Sequence, residues 1–502
     1  MSKTLETNHT TLVYGNAGRD LPAAAAQDVA SLRSQARGLC VNDVHSQLNR
    51  TRVSRIAVPA SLEELQDFVR GATRGRQQSI SIAGGRHAMG GQQFATDAAL
   101  LDTSRMDRVL RFDPERAELE VEAGIRWPAL IAHTVAAQHG QRQVGIRQKQ
   151  TGADRLSVGG ALAANIHGRG LTLKPFIDDI ESFVLVDAQG CARVCSRREN
   201  SDLFRLAAGG YGLFGVVYSV TLRLAPRRKL ERIVRLAETR ELTTLFDQRI
   251  AEGFLYGDFQ FMTDADSEGF LRTGILSCYR PVADDAPLRD GQKELSAEEW
   301  GELLYLAHTD RRRAFEVYAD HYLKTSGQVY WSDTHQLSFY LDDYHGRLDR
   351  RLGARVRGSE MITEVYVPRA RLADFMEAAR VDFRTHAAEL IYGTVRLIER
   401  DDESFLAWAR EPYACVVFNL HVGHDAAGVA RARADFRRLM ARAHEFGGSY
   451  YLTYHRWATR AQVEACHPRM HEFLRLKRRY DPAEVFQSDW YRHYRRMFAG
   501  GE

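Results

Sequence analysis

A run of glycines set between a helix and a strand constrains this chain more than any other feature. Residues 209–215 read GGYGLFG, so Gly210, Gly212 and Gly215 take the G-x-G-x-x-G spacing of a dinucleotide fingerprint. That fingerprint works when a strand leads into the glycines and a helix leaves them, because the helix N-terminus then faces the pyrophosphate. Here the order is inverted. The preceding NSDLFRLAA opens with Ser/Asp capping chemistry and reads as a helix. In the following VVYSVTLRLAP, Val216, Tyr218, Val220, Leu222 and Leu224 alternate with Val217, Ser219, Thr221 and Arg223, the period of a strand. The glycines are therefore expected to form a tight helix-to-strand connection, not a Rossmann site, although glycine still lets backbone approach a ligand closely.

The 502 residues suffice for more than one domain. A net charge of +4, with no dominant Lys/Arg block, argues against a nucleic-acid partner. No stretch approaches the roughly 18 apolar residues of a membrane span. The start, MSKTLETNHTTLVYG, lacks a signal-peptide core. Cys40, Cys191, Cys195, Cys278, Cys415 and Cys466 form no CxxC pair, which suits a reduced, cytoplasmic compartment.

Residues 1–50 read as a leader with one short helix. Dense short elements follow over 51–228. RIAVP is a strand, Ser61 and Glu64 form a capping box before a helix with Leu62, Leu65, Phe68 and Val69 on one face, and QSISIAGG is a strand entering glycines. RVLRFDPERAELEVEAG and SFVLVDAQGCARVCS read as hairpins turning at Asp113-Pro114 and Gly190, and Pro128 and Gly140 bound a helix between them. Beyond Pro226 the helical patterns lengthen and alternate with β-rich stretches such as SEMITEVYVP and YACVVFNLHV, so 229–455 reads as a second, α+β unit. The tail, 456–502, reads as a helix and a turn returning to the first unit.

Two loops are candidate ligand cradles. In SIAGGRHAMGGQQ a strand delivers Gly84, Gly85, Gly90 and Gly91, with Arg86, His87, Ala88 and Met89 among them. Successive backbone N–H groups there can form an anion nest, or the loop is a glycine-rich turn with solvated charges. In TGADRLSVGGALAANIHGRG, Gly152, Ser157, Gly159, Gly160, Asn165, His167 and Gly168 lie among small residues that admit a planar ring. There is no G-x-x-x-x-G-K-[ST], no H-E-x-x-H and no G-x-S-x-G elbow. His467 and His471 are interrupted by Pro468 and lack a third ligand nearby in sequence, so no metal is expected.

In order, RIAVPASLEELQDFVRGA, SIAGGRHAMGG, LSVGGALAANIHGRG, NSDLFRLAAGGYGLFGVVYSVTLRL and DPAEVFQSDW resemble the motifs of PCMH-type FAD-binding flavoproteins, the vanillyl-alcohol oxidase family. Within it the chain is most similar to sugar and polyol oxidases, aldonolactone oxidoreductases and the decaprenylphosphoryl-ribose oxidase group. The resemblance covers 51–228 and the tail well, and the middle loosely. It implies an α+β fold in which an FAD domain is completed by the C-terminus and 229–455 forms a substrate, or cap, domain. By that resemblance residues 84–91 hold the pyrophosphate, Gly152, Ser157, Gly159, Gly160, Asn165, His167 and Gly168 line the FAD, and Gly215, Val217 and Tyr451 adjoin it. GGRHA stands where polyol oxidases of the family carry GTRHS, which implies FAD bonded covalently to His87; the alternative is a non-covalent His87 contact.

The implied reaction is oxidation of a small-molecule alcohol by hydride transfer to flavin, with oxygen or another carrier taking the electrons. The alternatives are reduction of a carbon–carbon double bond, or flavin binding without turnover. Arg396 resembles the family's "SEIR" arginine. Asn419 and His421 share one strand face, which points at a ligand or at the surface. Where related groups carry a lysine this chain has Tyr454, a phenol that hydrogen-bonds without positive charge. With Tyr450, Tyr451 and Trp457 nearby, this departure suggests an aromatic or partly apolar substrate.

Overall fold

A computed structural model describes residues 39–499 apart from 75–77, 141, 289–291, 340 and 342–343. The helix expected in the leader lies outside the described residues. Strands β1 (Leu39–Val41) and β2 (Thr51–Val53) pair antiparallel. Next come β3 (Arg55–Ala57), α1 (Leu62–Arg74), β4 (Ile80–Ala83) and β5 (Ala99–Asp102), a parallel sheet ordered β3-β5-β4. Parallel neighbours need a crossover, and α1 supplies one. Its start is set by the expected capping pair. Glu64 N–H donates to Ser61 Oγ at 3.2 Å, and the Glu64 carboxylate accepts from Ala60 N–H at 2.8 Å. Leu65, Val69 and Ala72 of α1 pack on Ile80 and Leu101.

The expected hairpins are β6 (Val109–Asp113) with β7 (Glu118–Glu122), and β9 (Ile180–Val186) with β10 (Ala192–Ser196). Between them lie α2 (Trp127–Ala136), β8 (Val144–Gly145) and α3 (Val158–Ala164). The opening glycines connect α4 (Ser201–Ala207) to β11 (Val216–Arg223), helix before strand, and β11 completes the sheet β10-β9-β11-β7-β6. Gly209 and Gly212 hold φ near +73°, a backbone region glycine enters without steric cost. β12 (Ala225–Pro226) pairs with β8.

Residues 229–450 build an eight-stranded antiparallel sheet. In chain order the elements are β13 (Lys229–Glu238), α5 (Leu242–Ala251), β14 (Tyr256–Phe261), β15 (Thr273–Pro281), α6 (Ala297–Thr309), α7 (Arg311–Lys324), β16 (Val329–Trp331), α8 (Tyr344–Leu352), β17 (Gly358–Pro368), α9 (Leu372–His386), β18 (Leu390–Ile398), β19 (Tyr413–Gly423), α10 (Ala426–Glu445) and β20 (Ser449–Tyr450). The strand order is β16-β13-β15-β14-β18-β19-β17-β20. Pairing residues of antiparallel strands share a face. β19 sets Val417 against Glu364, Asn419 against Ile362 and His421 against Glu360 of β17, while Arg396 of β18 lies against Cys415. The opposite face carries Phe418, which meets Phe375 and Phe383 of α9 at ring-centroid distances of 6.3 and 5.1 Å. The Glu364 face is thus free to look toward the N-terminal sheets.

The tail differs from the expected helix and turn. It holds three helices, α11 (Arg460–Cys466), α12 (Met470–Tyr480) and α13 (Asp489–Phe498). Its DPAEVF segment joins the parallel sheet beside β4. Ile80 N–H donates to Val485 O at 2.6 Å, and Gln487 N–H to Ile80 O at 2.8 Å. The carboxylate of Asp481 accepts from the Val485 and Phe486 N–H groups, both at 2.9 Å, and pairs with buried Lys477. Among the described residues no helix is long and apolar enough to cross a membrane.

Candidate cofactor and active site

Between the N-terminal glycine loops and the Glu364 face of the large sheet lies a cavity of about 1510 Å³, open to solvent. Its floor is made where two glycine loops abut. A Cβ on Gly84 would stand 2.1 Å from Ser157 Oγ, and one on Gly85 2.2 Å from the Arg155 carbonyl. Any side chain there would push the loops apart, so the paired glycines are a packing requirement. Ser157 in turn caps α3, accepting from Gly160 N–H at 3.2 Å. Of the residues singled out from sequence, Gly84, Gly85, Arg86, His87, Ala88, Met89, Gly152, Ser157, Gly159, Gly160, Gly215, Val217 and Tyr451 line this cavity, together with Arg396 and Tyr454.

His87 is buried in the cavity wall. Its Nδ1 shares a hydrogen bond of 2.7 Å with His45 Nε2, and a hydrogen bond with the Arg155 backbone also holds the ring. Burial first, then the charges of His45, Arg126 and Arg155, push its pKa well below 6.5, so the ring is neutral. A neutral imidazole is the form that can act as a nucleophile.

The opposite wall carries a buried polar cluster centred on Glu364. Glu364 Oε1 contacts His167 Nε2 at 2.6 Å and accepts from the Tyr366 hydroxyl at 2.5 Å; Oε2 accepts from the Tyr454 hydroxyl at 3.1 Å. His167 Nδ1 faces the Gly168 carbonyl at 2.9 Å. Both ring nitrogens of His167 therefore lie within hydrogen-bond distance of an acceptor oxygen. Burial alone would raise the Glu364 carboxyl, but the His167 charge and the hydrogen bonds of His167 and Tyr366 bring it down to about 2. Burial, reinforced by the Glu364 charge, holds Tyr454 well above 10, as a phenol. Arg396 is buried beside them, and its Nε has no hydrogen-bond partner among the described residues. The cavity thus meets a fixed carboxylate, a phenol bonded to it and a guanidinium.

Several expected site residues lie elsewhere. Gly90 N–H donates to Thr453 O at 3.1 Å, and Gly91 accepts from Trp490 N–H at 3.3 Å; both tie their loop to the C-terminal segment and do not line the cavity. Asn165 closes α3 in a left-handed conformation. Its Oδ1 accepts from Ile177 N–H at 2.9 Å and its Nδ2 donates to Asp401 at 2.9 Å, so it pins the loop instead of lining the cavity. Gly168 N–H donates to Gln148 at 3.1 Å, and His167 stands behind Glu364, one layer from the cavity. Asn419 and His421 do share the Val417 face, but the cavity ends at Val417, and both lie further along β19. Tyr450 and Trp457 stack on His455 at ring-centroid distances of 6.3 and 5.6 Å, away from the cavity.

Sequence reasoning passed over Glu364. Its signal was available: strand alternation in SEMITEVYVP puts Glu360, Ile362, Glu364 and Tyr366 on one face, and two carboxylates on a face that also carries Ile and Tyr are costly to bury unless paired. His45, which holds His87, lay in a weakly patterned segment that gave no signal.

The glycine-loop floor and the polar wall opposite it form a site that can take a planar, phosphate-bearing cofactor. Residues 53–196 match the family described as FAD binding domain. It is 30% identical over 249 residues to an uncharacterized oxidoreductase in the fasciation locus of Rhodococcoides fascians, covering 48% of this chain and 55% of that one. It is 26% identical to L-gulonolactone oxidase of Bos taurus over 38% of this chain and 42% of that one. These two alignments span about half the length of each relative. L-Gulono-1,4-lactone dehydrogenase of Mycobacterium tuberculosis is 25% identical over 88% of this chain and 95% of its own. The residues present fit FAD. The floor of the cavity is stripped of side chains at Gly84 and Gly85, and the Arg396 Nε atom is left without a hydrogen-bond partner among the described residues at its wall.

Proposed function

We propose that the protein is an FAD-dependent oxidoreductase that oxidises a CH–OH group of a small molecule, with 51–228 and 456–502 as the flavin domain and 229–455 as the substrate domain. The observation that carries this reading is the Tyr454 hydroxyl, bonded to the buried Glu364 carboxylate at the cavity wall beside Arg396. FAD, when bound, supplies the acceptor for the two electrons that leave the substrate carbon. Residues 84–89 and 157–160 would hold it, with His87 as the point of covalent attachment. Tyr454 spends its own proton on Glu364, so its oxygen is free to accept a hydrogen bond from a substrate hydroxyl. As that proton arrives, the phenol proton passes to Glu364 Oε2, and no tyrosinate has to form. Arg396 stabilises negative charge on the substrate oxygen. Ile362, Val417, Tyr392 and Tyr451 supply apolar wall, which suits an aromatic or partly apolar alcohol. The six cysteines are all unpaired, in keeping with a reducing, cytoplasmic setting.

The test is anaerobic bleaching of the flavin absorbance against a panel of sugar lactones, polyols and aromatic alcohols, followed by admission of air. Bleaching by an alcohol supports the reading, and re-oxidation in air identifies oxygen as an acceptor. A flavin that no alcohol bleaches but NADPH does would overturn it in favour of a reductase.

A further inference from the structure

A second polar cluster lies on the same face of the large sheet, beyond the end of the cavity. Glu360 of β17 sits opposite His421 of β19, and His308 approaches from the last turn of α6. His308 Nε2 is 3.1 Å from Glu360 Oε1, and His421 Nδ1 is 3.6 Å from the same oxygen. The three atoms lie within 4.8 Å of one another. None of the three makes a well-aligned hydrogen bond among the described residues, although both histidines pair with the Glu360 carboxylate. Glu360 and His308 side chains are almost wholly buried, at 1% and 6% exposure, while His421 reaches the surface at 21%.

Two imidazole nitrogens and a carboxylate oxygen thus converge at the edge of the buried region without a well-aligned hydrogen bond among them. Imidazole nitrogens and a carboxylate oxygen bind zinc at about 2.0–2.2 Å, which makes the edges of a tetrahedral site about 3.3 Å. The distances of 3.1 and 3.6 Å bracket that edge. The outer layer is also in place. Glu360 Oε2 accepts from the Tyr344 hydroxyl at 2.5 Å and lies 3.0 Å from His345 Nδ1, both on α8, so Oε1 is turned toward the two histidines. Gly358 makes the room: a Cβ there would stand 2.2 Å from the His421 ring. The contrast with His167, Glu364 and Cys415 is instructive. That trio is equally compact, but His167 Nε2 and Glu364 Oε1 are bonded to each other at 2.6 Å, which leaves no space for an ion between them.

We propose that His308 Nε2, Glu360 Oε1 and His421 Nδ1 bind a divalent zinc-class cation. Two histidines and one carboxylate leave one tetrahedral position open, for water or an oxygen ligand. Glu360 and Glu364 are four residues apart on one strand face, about 13 Å at the usual rise, so the ion sits beyond the substrate wall and is not part of it. It ties the end of α6 to β17 and β19.

The test uses the flavin-loaded full chain, stripped with a chelator and re-equilibrated with zinc chloride or cobalt chloride. Elemental analysis is expected to find one equivalent per chain, and cobalt to give the visible bands of a four-coordinate site. His308→Gln and His421→Gln each lose that equivalent while keeping the flavin spectrum, which certifies the fold. Tyr344→Phe weakens zinc about 10- to 100-fold, the usual effect of losing an outer-layer partner. Exposed His471, changed to Ala, is the control and keeps the ion. A folded, flavin-loaded wild type that takes up no stoichiometric zinc, or histidine variants that retain it, overturns the proposal.

Discussion

Replacing Glu364 with glutamine keeps the shape of the buried cluster and removes its charge. The folded protein holds this carboxyl at about 2, against an ordinary value of 4.5. Burial opposes that drop, and His167 with its neighbours outweighs burial. A difference of roughly 2.5 units corresponds to about 3 kcal/mol of stability at neutral pH. That agrees with the roughly 3–5 kcal/mol for removing one partner of a buried pair, here Glu364 beside His167. The sign follows from a depressed carboxyl. The stabilisation is complete above the unfolded value and is lost as pH falls from about 4.5 toward 2, with about half remaining near pH 3. Glu364→Gln is therefore expected to unfold at lower urea than wild type at pH 7, by about 3 kcal/mol, with a gap that narrows on acidification. Tryptophan fluorescence across a urea series at several pH values reads this. Coincident midpoints at pH 7, or a gap that widens as pH falls, would refute the reasoning.

Tyr454→Phe removes the phenol and leaves Glu364 its His167 and Tyr366 partners; flavin content should be unchanged and single-turnover bleaching slower by about 10²- to 10⁴-fold. An unchanged rate would exclude Tyr454 from proton transfer. With His87 covalently attached, acid precipitation leaves yellow flavin in the wild-type pellet, and His87→Ala releases it; flavin in the wild-type supernatant would rule out the link. Gly84→Ala places a methyl group 2.1 Å from Ser157 Oγ, so the purified variant should carry less FAD at equal protein, measured from the ratio of flavin to protein absorbance. Asp481→Asn strands buried Lys477 and weakens the turn that docks Phe486 beside Ile80, at a cost of about 3–5 kcal/mol. Limited proteolysis should then cut near residues 480–487 first, and an unchanged digestion pattern would show that the turn does not hold the tail.

Much of this was legible because it is local. The capping pair at Ser61 and Glu64, the hairpin at Asp113-Pro114 and the inverted setting of GGYGLFG follow from neighbours within a few residues. Clustered glycines located most of the cavity floor, since backbone that must approach a ligand or a second loop announces itself by missing side chains. Polar residues were harder. Asn165 and His167 stand in the right loop, yet their side chains turn to Asp401 and Glu364, more than 190 positions away in sequence. Nothing near them in the chain records those partners. Likewise Asn419 and His421 were placed on the correct strand face, but where a cavity stops along a strand depends on what packs above it.

The order of motifs in the sequence by itself pointed to an FAD-binding segment, matched over residues 53–196, and to the glycine loops of the cavity floor, because glycine placement and strand or helix period are properties of short segments. Only the tertiary structure decided the chemistry of the opposite wall. Glu364, Arg396 and Tyr454 come from two separate strands and the segment after β20, and His308, Glu360 and His421 from a helix and two strands. Arg396 and Tyr454 stood out in the sequence as isolated positions, but no spacing in the chain links them to Glu364, or His308 to Glu360 and His421. What joins them is the register of antiparallel strands, which sets side chains from distant segments face to face, and burial, which makes each charge or lone pair costly until it finds a partner.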